Sequence, residues 1–362
     1  MDPVEVCWFG ALCDDDYERL GVPDPSLQSS WEHCREIAVR AEAEGFDNLL
    51  LPSGYALGID TIAFAGGVAP LLSTLQLLVA VRCGELWPPQ LARQLASLDH
   101  MLGGRLTVNI ISSDLPGASL ASEPRYARCL EVMQIVRALL EGQAVDHQGE
   151  HYQLQLEPPR LGTVSGRCPP FYVGGLSEPA REAAARGADV YLMWPDRMEG
   201  VREVITDLRA RAAHEGRELR FGYRAHVIVR ESESEARAAA QDLVADLAPE
   251  DGDAIRARSL DHASEGVRRQ AELREQSDAD GFVEPHLWTG IGRARSGCGA
   301  ALVGDPDQVL GVLEAYRDLG IDSFILSGYP HLNECSLFGR YVLPRLDHRP
   351  LRMAPPAVAP SG

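Results

Sequence analysis

Two charged side chains interrupt an otherwise apolar run. In Phe221-Gly222-Tyr223-Arg224-Ala225-His226-Val227-Ile228-Val229 the exceptions are Arg224 and His226, and Arg230 follows the run. A spacing of two puts both side chains on one face of a strand. A charged pair facing a strand-lined interior is costly unless a ligand or partner meets it. The competing reading is a strand-end salt-bridge cluster. Gly174-Gly175-Leu176-Ser177 lies between a short apolar run and a helix start, so its backbone N–H groups and Ser177 hydroxyl could cradle a phosphate. The same segment could be a tight turn with Ser177 as the helix cap. Trp194, after another apolar run, could stack on a planar ring or close a core.

Several chemistries are excluded. The 34 cationic side chains are all arginine, so Schiff-base lysines and the Gly-Lys-Ser/Thr phosphate loop are ruled out. No Gly-x-Ser-x-Gly marks a hydrolase nucleophile. The eight cysteines include no Cys-x-x-Cys, and the ten histidines include no His-Glu-x-x-His. His147 and His151 are four apart, but the Gln148-Gly149-Glu150 between them reads as a turn. No metal site and eight free thiols are expected. A net charge of −19 argues against a nucleic-acid partner. No apolar run is long enough for a membrane span, and the start lacks a basic leader, so a cytoplasmic location is expected.

The elements that must position these residues alternate along the chain. Continuous apolar runs predict eight strands at 4–9, 48–52, 75–81, 106–111, 171–173, 190–193, 221–229 and 323–326. Amphipathic segments predict helices at 31–43, 88–102, 126–140, 179–186, 197–213, 306–319 and 332–343. Eight buried strands, nearly all followed by a helix, predict a (β/α)8 TIM barrel within the α/β class. At 362 residues the chain suits one such domain over 1–350, with insertions at about 143–170 and 231–301 and a disordered tail at 351–362. The first insertion contains a hairpin, 145–146 against 151–152. The second follows the seventh strand, begins with a helix at 234–247 and reads as a lid. Barrel sites lie at the C-terminal ends of strands. That rule selects Tyr55, Arg82, Asn109, Ser112, Gly174, Gly175, Ser177, Trp194, Arg224, His226, Tyr329 and His331.

Taken together, these segments resemble the bacterial luciferase-like flavin monooxygenases, most of all the two-component alkanesulfonate monooxygenases, from about residue 4 to 346. The segment Phe221 to Glu231 carries the most specific match. Ala301-Leu302-Val303-Gly304-Asp305 and Gly320 to Leu332 follow, with Ala92-Arg93-Gln94, Arg125-Tyr126, Gly174-Gly175 and Leu192-Met193-Trp194 in matching order. The resemblance implies reduced FMN (FMNH2) supplied by a separate NAD(P)H-dependent flavin reductase. Dioxygen adds to the flavin and oxygenates a small-molecule substrate; an alkanesulfonate would become an aldehyde and sulfite. It implies catalytic roles for Arg224, His226, Arg295 and Tyr329, with Arg295 on the lid. Asn109, Ser112, Tyr126, Gly174, Gly175, Ser177 and Trp194 would hold the cofactor. It also implies a homodimer or homotetramer.

Three departures line the expected substrate pocket, which Cys13, Tyr55 and His331 would form. Cys13 stands where such enzymes carry a histidine. Tyr55-Ala56-Leu57-Gly58-Ile59 replaces a cysteine region, and Ser112-Ser113-Asp114 shortens a longer motif. Asp14, Asp15 and Asp16 would repel a sulfonate if they faced it. The same oxygen chemistry on a secondary-metabolite substrate is therefore an alternative. A deazaflavin-dependent oxidoreductase or a non-catalytic flavin binder is a second.

Overall fold

A computed structural model describes residues 2–55, 58–257 and 264–351. The eight expected strands are all present. They are β1 (Glu5–Phe9), β2 (Asn48–Leu51), β3 (Gln76–Arg82), β4 (Leu106–Ile111), β5 (Phe171–Gly174), β6 (Val190–Met193), β7 (Arg220–Val229) and β8 (Ser323–Ser327). Every neighbour pair is parallel, and the ring closes through β6–β7, β7–β8 and β8–β1. The fold is a closed (β/α)8 barrel.

The helices α1 (Trp31–Glu44), α2 (Thr61–Val68), α3 (Pro88–Met101), α4 (Ser122–Leu140), α5 (Glu178–Gly187), α6 (Met198–His214), α7 (Pro306–Leu319) and α8 (His331–Tyr341) follow the strands in turn. Their buried stripes pack on the outward strand residues in one large core. Inside the barrel, Cys7, Phe9, Leu50, Leu78, Tyr172, Val190 and Ile325 form a separate cluster. Below it, buried Glu5 accepts from Tyr172 Oη at 2.8 Å and Ser323 Oγ at 2.7 Å, which plugs the end away from the site.

Differences from the sequence reading have local causes. α2 has no amphipathic stripe: Thr61–Val68 is almost wholly apolar, with two glycines, and Asp60 caps it through Ala63 N–H. α4 begins at Ser122, before Pro124, because a first-turn residue needs no intrahelical acceptor for its N–H. The hairpin pairs Val145–Gln148 with Gln153–Leu156, displaced from 151–152, because Glu131 accepts the N–H groups of Glu150, His151 and Tyr152.

The second insertion is more ordered than a charged stretch. Its first helix is Glu233–Leu243, shorter than the expected 234–247. Helices Pro249–Ala257 and Glu265–Glu275 follow. Ala301–Gly304 then pairs in parallel with the second half of β7, and Leu287–Trp288 pairs antiparallel with it. The expected tail at 351–362 lies outside the described residues except for Leu351.

Candidate active site

A cavity of about 690 Å³ opens over the C-terminal ends of the strands, a volume suited to a cofactor with a small substrate. The insertion supplies part of its wall through Gly266, Arg269, Gln270 and 294–298. Eleven of the fourteen expected site residues line it: Cys13, Tyr55, Asn109, Ser112, Tyr126, Gly174, Gly175, Ser177, Trp194, Arg224 and Arg295. His226, Tyr329 and His331 are not on that wall and are stacked together behind Phe9 and Arg224. Tyr55 is 71% exposed at the rim.

One end is a backbone cradle. Gly175 has φ +135°, and a Cβ there would fall 2.2 Å from Tyr126 Oη, so the turn admits only glycine. Tyr126 Oη donates to Gly174 O at 3.3 Å, and Tyr191 Oη to Gly175 O at 2.6 Å, which fixes the turn. Ser177 starts α5 but makes no side-chain capping bond; its Oγ lies 3.1 Å from Ser122 Oγ. The hydroxyl and the first N–H groups of α5 are therefore available to an anion, which favours the phosphate reading of this turn. The phosphate of an FMN fits this cradle. Trp194 belongs to both of its earlier readings. It lines the cavity, yet a Cβ on Gly266 or Gly297 would come within 2.9 or 3.1 Å of its ring, so the insertion packs directly on it.

The other end is built from charge. Arg224 is 4% exposed and lies over the Phe9 ring, 4.3 Å from its centroid. Its guanidinium donates to Ala225 O at 2.7 Å. Arg295 pairs with Asp15 at 2.9 Å; burial opposes its charge, but the carboxylate holds it on. Asp16 is turned to structure: it accepts His331 N–H at 2.9 Å and meets His33 Nε2 at 2.8 Å. Burial opposes its ionisation, but the two histidines hold it below the usual carboxylate range. Asp14 is engaged with Ser29. The acidic triplet thus sends one carboxylate, Asp15, toward the cavity arginines.

Behind them His226 Nδ1 lies 2.7 Å from Ser327 Oγ, and its ring stacks on Tyr329 at 5.0 Å. Burial, then Arg224 and Arg295, push the imidazole well below its ordinary pKa, so it is neutral. His226 Nε2, Tyr329 Oη and both ring nitrogens of His331 are buried without a partner among the described residues. Such orphans are costly in a finished core and suit a site that a ligand completes. Burial and then Asp15 push the Cys13 thiol up to about 12, so it is no nucleophile.

Sequence reasoning missed three contributors. Phe9 ends β1, and the strand-end rule should have selected it. Arg269 forms two 2.7 Å bonds to Asp196, just after β6, and Gln270 Nε2 donates to Pro195 O at 2.7 Å. No local signal marks either. Among the described residues no cluster could hold a metal ion, and no helix is long and apolar enough to cross a membrane.

Comparison with known proteins agrees with this geometry. The luciferase-like monooxygenase family matches residues 18–323. A sulfoquinovose monooxygenase of Novosphingobium aromaticivorans is 64% identical over 356 residues, 96% of this chain and 98% of that protein. One from Agrobacterium fabrum is 51% identical over 349 residues, 96% of this chain and 90% of that protein. Among solved structures, a riboflavin lyase crystallised with modified FMN and riboflavin shares the fold at a TM-score of 0.78 and 19% identity, covering 95% of this chain and 91% of its own. The chain belongs to the luciferase-like monooxygenase family and is a flavin-dependent oxidoreductase of the monooxygenase type.

Proposed function

We propose that the protein uses reduced FMN, delivered by an NAD(P)H-dependent flavin reductase, and dioxygen to break the carbon–sulfur bond of sulfoquinovose. This sulfonate is a hexose with its sulfonate on C6. The products are sulfite and a sugar with an aldehyde at that carbon. The observation that carries the reading is Arg224. Among the described residues, five arginines line the cavity. Arg82, Arg125, Arg269 and Arg295 each face a carboxylate, namely Glu85, Asp114, Asp196 and Asp15. Arg224 is the cavity arginine with no carboxylate partner among the described residues, so its charge is free for a sulfonate. The high identity to two sulfoquinovose monooxygenases points to the sugar, and moves the substrate away from the plain alkanesulfonates that the sequence resemblance implied.

When bound, reduced FMN supplies the electrons that activate dioxygen. The chain's own residues do the rest. The Gly174–Ser177 turn, Tyr126 and the start of α5 hold the phosphate. Trp194 and the insertion exclude water from the reacting centre. Arg224 fixes the sulfonate oxygens, and its donors favour the sulfite that leaves. Ser327 and the Tyr329 ring hold the neutral His226 in place behind Arg224. Ser53, Asn109 and Ser112 give the wall polar groups for sugar hydroxyls.

The test is sulfite release with a flavin reductase, NADH, FMN and dioxygen. Sulfoquinovose is compared with ethanesulfonate and octanesulfonate. Sulfite from sulfoquinovose at a kcat/KM at least tenfold above either alkanesulfonate is expected. Release from the alkanesulfonates and none from sulfoquinovose would overturn the reading.

A further inference from the structure

The sulfonate end holds two arginines and one carboxylate in contact with them. Among the described residues Arg224 has no acidic partner in contact, and Arg295 is matched by Asp15 at 2.9 Å. The other groups that face Arg224 and His226 are uncharged: the His226 and His331 imidazoles are both shifted down by burial, the Tyr329 phenol is shifted up, and the Cys298 thiol is shifted up. Asp14 and Asp16 are engaged elsewhere, with Ser29 and with His33 and His331. Arg82 has Glu85 at 3.1 Å. Among the described residues in direct ionic contact at this end, Asp15 matches Arg295 and nothing matches Arg224, which leaves one cation unmatched.

We infer that Asp15 is a specificity-determining residue: by cancelling Arg295 it tunes the pocket to a singly charged sulfonate and turns away doubly charged phosphate esters of the same size. The inference rests on the sulfonate reading above and deepens it. A sulfonate keeps one negative charge at all working pH values. A phosphate monoester of the same carbon skeleton carries about −1.5 to −2 at pH 7. Hexose 6-phosphates share the size, hydroxyls and tetrahedral oxyanion of a 6-sulfonated hexose, so shape alone discriminates poorly between them. Charge does discriminate. One free cation neutralises a sulfonate, but leaves a buried, uncompensated charge on a phosphate, and that is strongly unfavourable. Asp15 is 6% exposed, so solvent screens its field little. It makes no hydrogen bond to α1 or to the loop that carries it among those seen, and its Oδ1 has no partner among the described residues. A residue placed for folding would have spent that oxygen.

The experiment measures binding by calorimetry at pH 8 with saturating FMN, where the esters are dianionic. Two ligand pairs are used: octanesulfonate with octyl phosphate, and sulfoquinovose with glucose 6-phosphate. Asp15→Asn frees Arg295 and gives the pocket a second cation. The ratio of phosphate Kd to sulfonate Kd is expected to fall by about tenfold or more. Arg295→Met leaves Asp15 unmatched, and the same ratio is expected to rise. The opposite signs separate charge from damage, and FMN binding by fluorescence quenching shows that each variant is folded. A ratio unchanged in the octyl pair for both variants overturns the inference, whatever the hexose pair does. Failure of wild type to bind sulfoquinovose, with the octyl ratio shifting as stated, overturns the sugar reading and leaves the charge selection standing.

Discussion

On the proposed function, the two ends of the cavity hold their anions by opposite means. At the α5 end the anion site is backbone: two glycines, a helix start and hydroxyls, with no cation required. At the β7 end it is side chain: Arg224 held over Phe9, with Arg295 brought in by the insertion and neutralised by Asp15. Backbone cradles take a phosphate by shape and by the dipole of the helix start. A buried guanidinium recognises charge, and its neighbours decide how much. On that reading the difference suits the FMN phosphate at one end and a sulfonate at the other. It also predicts that damage should separate: cradle variants lose flavin, and charge variants lose the sulfonate.

The largest effect tests the charged end. Arg224→Met removes the free cation while keeping a long apolar side chain on Phe9. Loss of a buried charge partner costs roughly 2–5 kcal/mol, so kcat/KM for sulfite release should fall on the order of 10³-fold. The flavin Kd should move less than threefold. A flavin Kd that weakens in parallel would break the division between the ends. Next comes the cradle. Gly175→Ala places a methyl against Tyr126 Oη at a backbone angle that alanine avoids. Strain of about 1–3 kcal/mol translates to a flavin Kd raised about 5- to 150-fold, read by fluorescence quenching. Ser177→Ala should raise it about tenfold, the worth of one hydrogen bond to a charged group.

The barrel and the Gly174-Gly175 turn were legible for the same reason. Both are written in local sequence: apolar runs for the strands, Gly174-Gly175 for the turn, and Arg224 and His226 two apart on β7. What stayed hidden is long-range. Asp15 and Arg295 are 280 positions apart, and Arg269 and Asp196 are 73 apart. Neither pairing has a period or a motif, so a reader of the sequence sees three acids that threaten a sulfonate. In the structure two of them are occupied and the third is matched. The helices at 249–257 and 265–275 were obscured by charge, because each buries little and packs mainly on the cavity wall. That Ser177 makes no capping bond, which supports the phosphate reading of the turn, has no signal in the sequence.

A smaller effect reads the charged end through pH. His226 and His331 are buried beside arginine, and both pKa values are lowered on folding, mainly by burial. The unfolded chain binds their protons near pH 6.5, and the folded chain does not. Their contribution to stability is thus fully present above about pH 6.5 and is lost as pH falls toward the folded values. His348 runs the other way: its bond to Asp47 raises its pKa, so its contribution is present at low pH and lost as pH rises. In His226→Asn the fall in urea midpoint stability between pH 7 and 5 should shrink, by up to about 1.4 kcal/mol per pH unit. An unchanged slope would mean that His226 is protonated in the folded protein, and the charge count at that end would have to be redrawn.

The smallest effect concerns the piece that joins the two ends. The helix 265–275 runs from Trp194, which Gly266 meets, to Gly299 beyond Arg295; the Gly299 N–H donates to Gln270 Oε1 at 3.3 Å. It is tied to the barrel by Arg269 on Asp196 and by Gln270 on Pro195. The ion pair is partly exposed, at 31% and 16%, so it is worth about 1 kcal/mol. Arg269→Met should therefore raise the sulfonate KM about three- to fivefold, with little change in kcat or in flavin Kd. Proteolysis between residues 250 and 295 should quicken by a similar factor in the free enzyme. Because the contact lies nearer Trp194 than Arg224, a purely local view would assign the loss to flavin. An effect on sulfonate KM instead shows that the insertion acts as one body, carrying Arg295 to Asp15 when its other end is seated on Trp194. A KM that holds while flavin Kd rises would place the latch wholly in the cradle, and Arg295 would then be positioned by Asp15 alone.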